Sequence, residues 1–171
     1  VLAPAPGATD AKERDSYIVI PDISGFTHFI RQSDTAADHA RYVVSELLDA
    51  IVGSAGPVLK PSRVTGDSVV FRALTVVEDE TDGATGDDVA HAVLAMAAAF
   101  YRRRDQLATE QDGIGQVCSN ITSLDLKFIV HRGPVAAYVL RRFEDLGGIS
   151  VIVAHRLLKD SVGQRRYILV T

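Results

Sequence analysis

The sequence has no tryptophan, one cysteine and one methionine in 171 residues, and aromatic side chains make up only 6% of it. With Cys118 as the single thiol, no internal disulfide framework can form, and this usage suits a reducing compartment. The expected location is the cytoplasm. No apolar run approaches the ~20 residues that cross a bilayer, so no membrane partner is expected. The opening Val-Leu-Ala-Pro-Ala-Pro-Gly has neither the basic region nor the apolar stretch of a signal peptide. A basic excess is missing too. The formal net charge is −4, which argues against a general nucleic-acid or anionic-membrane binder. His28, His39, His91, His131 and His155 are scattered without the spacing of a zinc site. What is present is ordinary for a globular domain: 47% hydrophobic and 23% charged residues, in a length that suits one domain with a real core.

Residues 1–15, rich in Ala, Pro and charge, are expected to form a flexible lead-in to a domain over 16–171. Tyr17 to Ile20 reads as a short buried strand ended by Pro21, which has no amide to give a neighbouring strand. Asp22 then stands at the carboxyl end of a core strand, where ligands gather in α/β sheets. Ile23, Ser24, Gly25, Phe26 and Thr27 follow, then a short helix. Such a turn can offer amides to an anion, and a metal can bridge the neighbouring acid to phosphate. A simple N-capped junction reads the same residues without any ligand.

Farther on, Ser33-Asp34-Thr35 is a capping signal for a helix carrying Tyr42, Val43, Leu47, Leu48, Ile51 and Val52 at three- and four-residue steps. Residues 57–63 and 68–73 read as a hairpin whose tip carries Gly66-Asp67. The acidic stretch 78–88 reads as an exposed loop. The helix expected over 91–107 points Val93, Leu94, Ala97, Phe100 and Tyr101 at the core and places Arg102, Arg103 and Arg104 at its carboxyl end. After a loop over 109–123, a strand over 124–131 is expected to turn at Arg132-Gly133 into a second strand, 135–140. A charged loop, a helix over 151–159 and a last strand over 166–170 complete the chain. This order predicts an α+β fold, a mixed but mainly antiparallel sheet with helices packed on it in the ferredoxin-like style.

Four landmarks now stand in order: Asp22-Ile23-Ser24-Gly25-Phe26-Thr27, Gly66-Asp67, His131-Arg132-Gly133 and Val151-Ile152-Val153-Ala154-His155-Arg156-Leu157. Together they resemble the class III adenylate/guanylate cyclase homology domain from about residue 17 to residue 171. Leu126 to His131 and Ala154 to Lys159 resemble more narrowly the bacterial branch grouped as DUF2652. The resemblance implies metal-dependent cyclisation of a nucleoside triphosphate to a 3′,5′-cyclic nucleotide, with loss of pyrophosphate. It implies two Mg²⁺ or Mn²⁺ ions on Asp22, Asp67 and the carbonyl of Ile23, with Ser24, Gly25, Phe26 and Thr27 around the phosphates.

Arg63 and Asp145 match the base-reading positions, although an ordinary surface salt bridge explains that pair nearly as well. Arg156 matches the transition-state arginine. Ile152 stands where the family has an Asn that orients the ribose, and isoleucine can make no hydrogen bond. The family's later triphosphate-binding Lys lies beyond residue 171, in an expected terminal hairpin, so Arg165 or Arg166 are candidates to replace it. A homodimer with shared active sites is implied, in which the acids of one subunit face Arg63, Asp145 and Arg156 of the other. The alternative expectation, supported by Ile152, is a degenerate homologue that serves as a nucleotide-binding, dimerisation or regulatory module.

Overall fold

The apolar run beginning at Tyr17 lies within a longer strand, β1 (Arg14–Ser24), at the middle of the sheet. The structure, a computed structural model, describes residues 13–32, 37–76, 83–110, 118–140, 143–159 and 162–171. After β1 come α1 (Phe26–Gln32), α2 (Ala37–Gly53), the hairpin of β2 (Lys60–Thr65) and β3 (Ser68–Leu74), and α3 (Gly86–Glu110). A 3₁₀ turn (Cys118–Ser123) then leads to β4 (Asp125–Leu140), β5 (Phe143–Gly147), α4 (Ile149–Leu158) and β6 (Tyr167–Val170). The strand order is β2-β3-β1-β4-β5, and β6 pairs with β4. All pairings are antiparallel except the parallel one of β6 with β4. The α+β, mainly antiparallel sheet expected from the element order is the one observed.

Period-two alternation along the strands divides the core into two layers. Val19, Ile23, Phe71, Phe128 and Val130 pack with Val43, Leu47 and Ile51 of α2 and Val93, Met96 and Phe100 of α3. Ile18, Ile20, Val70 and Ile129 face the other way, onto Val151 and Ala154 of α4. Fully burying an aliphatic or aromatic side chain of this size contributes ~1.5–3 kcal/mol. Two interlocked layers therefore hold β1 and β4 rigidly at the centre, and the residues at their ends inherit that rigidity.

Several expectations need correction. Pro21 does not end the strand. β1 continues to Ser24, and Pro21 falls where the β1–β3 register has a gap between Val19↔Phe71 and Asp22↔Ser68. A missing amide is tolerated at such a gap, so Asp22 lies inside the sheet and not after it. β1 also begins at Arg14, within the stretch 1–15 expected as a lead-in. Arg132-Gly133 makes no turn, and β4 runs unbroken for 16 residues. Gly133 is there for a different reason: a Cβ on it would lie 2.5 Å from Ser150 Oγ of α4, so glycine lets the helix approach without displacing the Ser150 side chain.

The third helix is longer than expected, beginning at Gly86 and taking Asp87 and Asp88 out of the supposed loop. Thr85 and Asp88 make reciprocal hydrogen bonds there: Asp88 Oδ2 accepts from the Thr85 amide at 2.9 Å, and Thr85 Oγ1 accepts from the Asp88 amide at 3.2 Å. Arg102, Arg103 and Arg104 consequently sit inside the helix, with Arg103 bridging Glu46 of α2 and Glu110. Leu94, expected in the core, is exposed, as is Tyr42 of the apolar repeat in the second helix. Residues 1–12 of the expected lead-in, the Ser33-Asp34-Thr35 cap signal, residues 78–82 of the acidic stretch, residues 111–117 of the expected loop and Arg141-Arg142 lie outside the described residues, as does the side chain of Cys118.

Candidate functional site

Asp22 and Asp67 are brought together by backbone pairing. Asp22 of β1 registers with Ser68 of β3, and the amide of Ile23 donates to the carbonyl of Asp67 at 3.0 Å. Gly66, at φ 62°, forms the tight hairpin turn that presents Asp67 beside β1. On the other side of β1, Asp22 registers with Lys127 of β4, whose Nζ lies 3.1 Å from Asp22 Oδ2 and donates to the carbonyl of Leu158 at 3.3 Å. Asp22 and Lys127 continue the row formed by Ile20 and Ile129, so they are the polar end of the apolar stripe beneath α4. Both are mostly buried.

These residues open onto a cavity of about 440 Å³, lined by Ile23, Ser24, Gly25, Phe26, Thr27 and His28 on one side and by Val162, Gln164, Arg165 and Tyr167 on the other. Gly25 has φ 91°, and a Cβ on it would stand 3.3 Å from the carbonyl of Ser123, so this turn requires glycine. The helix after the turn has seven residues, too few for a strong dipole. An anion here would meet the individual amides of the turn instead.

Burial pushes the Asp67 carboxyl above its usual range, and the neighbouring Asp22 charge pushes it further, while its own backbone amide and Lys127 act in the opposite sense. Two acids close enough to oppose each other's ionisation, with one ammonium between the sheet and the cavity, form a donor set suited to hard cations. Among the described residues no group of three or more His, Cys, Asp and Glu side chains forms a metal cluster. A cation here would need water or ligand oxygens to complete its shell, as Mg²⁺ commonly does.

The remaining candidates lie elsewhere on the chain. Arg63 of β2 and Asp145 of β5, from opposite ends of the strand order, meet in an ion pair. Asp145 is also tied down within its own strand, accepting from the Leu146 amide at 2.8 Å. Next to them, burial lowers the basicity of His155, helped by the charges of Arg63 and Lys159. Ile152 and Arg156 are exposed on α4, and Ile152 shares its outer face with the exposed Ile149. None of Arg63, Asp145, Ile152 and Arg156 lines the cavity of its own chain.

Sequence reasoning did not single out Lys127 as a site residue. The signal was available: a lysine between Leu126 and Phe128, in an otherwise apolar strand, needs a buried acid as partner.

The fold matches solved class III cyclases closely. The adenylyl cyclase CyaB from P. aeruginosa superposes with a TM-score of 0.68 at 20% identity, covering 94% of this chain and 78% of that one. A class III adenylyl cyclase-like ATP-binding protein from Pseudomonas aeruginosa gives 0.69 at 17% identity, over 98% of this chain and 37% of the other. The guanylyl cyclase domain of the RhoGC fusion protein from the aquatic fungus Blastocladiella emersonii gives 0.57 at 21%, over 89% and 78%. At these identities the likeness establishes the fold, the ferredoxin-like arrangement of a class III cyclase domain. In sequence, the chain is 28% identical over 128 residues to an uncharacterized protein of Mycobacterium tuberculosis, covering 75% of this chain and 57% of that one. It therefore spans a little over half the length of that relative. No helix among the described residues is long and apolar enough to cross a membrane. Residues 44–167 match the family described as Protein of unknown function (DUF2652), and the chain belongs to that family.

Proposed function

We propose that this domain binds a nucleoside triphosphate through Mg²⁺ or Mn²⁺ held by Asp22, Asp67 and the carbonyl of Ile23 and, as a homodimer, cyclises it to a 3′,5′-cyclic nucleotide. In that reaction the ribose 3′-oxygen forms a bond to the α-phosphorus. The bond from that phosphorus to the β-bridging oxygen breaks, pyrophosphate leaves, and the 3′-hydroxyl proton passes to solvent. Divalent ions at the acids would supply acidification of the 3′-hydroxyl and charge neutralisation of the triphosphate.

The chain's own residues carry the rest. Ser24 to Thr27 edge the cavity where the phosphates would rest. The observation that carries the reading is the pair Asp22 and Asp67, fixed side by side at a cavity by the Ile23–Asp67 backbone bond. Arg63, Asp145 and Arg156 lie off the cavity of their own chain, which supports their delivery by a second copy. The exposed apolar Val64, Ile149 and Ile152 beside them support a covered surface there. In the assembled site the Arg63–Asp145 fork would read the base edge, and Arg156 would meet charge developing on the α-phosphate.

Ile152 favours a second reading. With no hydrogen-bonding group at that place, the ribose is left without its orienting partner, and orientation is worth much of a cyclisation rate. The domain would then hold the nucleotide without turning it over. Incubating the dimeric protein with each of the four ribonucleoside triphosphates and Mn²⁺, and measuring cyclic product and bound nucleotide, separates these readings. Product that disappears in Asp67→Ala establishes the enzyme. Metal-dependent binding without product establishes the binding module. Absence of both in wild type overturns the pair.

A further inference from the structure

The segment entering β6 carries two adjacent arginines with opposite commitments. Arg166 is held: its Nε and Nη2 donate to Asp125 Oδ1 at 2.9 and 2.8 Å, and its guanidinium lies over the ring of Tyr101, 4.5 Å from the centroid. Tyr101 donates its own hydroxyl to the same carboxylate oxygen at 3.2 Å. Arg104 covers Tyr101 as well, at 4.9 Å, and donates to the carbonyl of Leu124 at 3.2 Å. Tyr101 stands on α3 and Asp125 starts β4, so this stack ties the start of β6 to the main body of the domain.

Its neighbour Arg165 instead lines the cavity with Asp22, Asp67 and Lys127. It makes no hydrogen bond or ion pair among the described residues, whereas Lys127 is already taken by Asp22 and the Leu158 carbonyl. Arg165 is thus the uncommitted guanidinium of the cavity.

We propose that Arg165 grips the phosphate chain of the ligand, and that Arg166 is its positioning residue, fixing the backbone that aims Arg165 into the cavity. This rests on reading the cavity as a triphosphate site. The charges support it. Without metal, the two acids of the cavity are balanced by Lys127 and Arg165. Each divalent cation added at the acids leaves a positive excess that a polyphosphate can balance. A guanidinium is suited to that task because its planar fork meets two phosphate oxygens at once. Being uncommitted, Arg165 gives up no existing partner when it binds.

The test is equilibrium binding in Mn²⁺, with no turnover readout. The probes are whichever ribonucleoside triphosphate wild type binds best, together with its di- and monophosphate. Arg165→Ala should weaken the triphosphate about 10-fold or more, the loss of a charge-assisted hydrogen bond. It should weaken the diphosphate less and leave the monophosphate unchanged. Arg165→Lys should recover part of the loss, as a point charge without the fork. Arg166→Ala should show the same phosphate-graded pattern at smaller size, whereas a merely structural role would weaken all three ligands alike. If wild type binds a triphosphate and Arg165→Ala binds it equally, or if all three ligands lose equally, the assignment of Arg165 is overturned while the nucleotide site stands. If wild type binds no triphosphate at all, the nucleotide-site reading itself falls.

Discussion

The acid cavity and the outer surface of α4 solve opposite problems on the same two strands. At the cavity, charge is inside: Asp22 and Lys127 are mostly buried and satisfy each other, and Asp67 is half-buried beside them. On the α4 side, apolar surface is outside: Ile149 and Ile152 stand in solvent next to Arg156, with the Arg63–Asp145 pair close to His155. Buried charge is costly unless it is paired, and clustered exposed apolar residues commonly mark a surface that something covers. On the proposed reading, one region would receive a cation and an anion, and the other a second copy of the chain. Each would then be completed by the other region of a partner copy.

The two regions separate most clearly at the acids. Asp22→Ala should lower Mn²⁺ affinity at least about 100-fold, measured by titration calorimetry or by Mn²⁺ paramagnetic resonance, because a liganding carboxylate should matter no less than second-layer partners worth 10–100-fold. Ile152→Ala should leave that affinity unchanged. Equal losses in both would show that the two regions are one site within a single chain.

Next in size is the contact that holds α4 in place. Gly133→Ala should destabilise the fold by about 1–3 kcal/mol, as overpacking does, because the new Cβ meets Ser150 Oγ at 2.5 Å and Ser150 Cβ at 3.4 Å. Adding Ser150→Ala removes the nearer atom and should restore most of the loss. Chemical denaturation of the single and double variants checks this, and additive effects would mean that the two residues do not touch.

Gly133 also shows where the sequence was readable and where it was not. The motif around Asp22, the Gly66-Asp67 hairpin tip and the helix of Val43, Leu47 and Ile51 were legible because each is written in neighbouring residues. Arg132-Gly133 looked like a turn because a glycine between two apolar runs commonly marks one. Its true cause, a helix seated on the strand, lies 17 residues away at Ser150. The Lys127–Asp22 pair was hidden in the same way: alternation put Lys127 on a strand, but only the β1–β4 register says what it faces. The Arg63–Asp145 pair, 82 residues apart, was legible only through the family resemblance. Nothing in its local sequence predicts that β2 and β5 meet.

A smaller effect concerns Asp67 in the metal-free protein. Its carboxyl is held above the usual range, first by burial and then by Asp22. For an acid so shifted, the native state binds more protons than the unfolded one between the ordinary value, 3.8, and the raised value. Its contribution to stability is greatest below that window and falls as pH rises through it. Asp67→Asn should therefore stabilise the metal-free fold at neutral pH by less than about 1 kcal/mol, solvent screening keeping it small. The gain should fade on acidification to pH 3.5. A thermal melt showing Asn less stable at pH 7 would mean that the backbone hydrogen bond and Lys127 together outweigh burial and Asp22.

The finest probe of whether the two regions are separate is the imidazole of His155. Burial is the main reason its proton is held weakly, with the Arg63 charge second and Lys159 third. Arg63→Gln should thus raise its titration midpoint toward the ordinary histidine value without reaching it, because burial remains, and NMR of the ring protons reads this directly. In a monomeric preparation, Mn²⁺ and nucleotide at Asp22 and Asp67 should leave the midpoint unmoved, since His155 does not line that cavity. In a dimer of the proposed kind, the same additions should move it, because the partner's cavity then faces Arg63 and its neighbours. A shift present in the monomer would place the coupling inside one chain and remove the need for a partner. No shift in a dimer that binds nucleotide would mean that the surface of α4 meets something other than the cavity of a second copy.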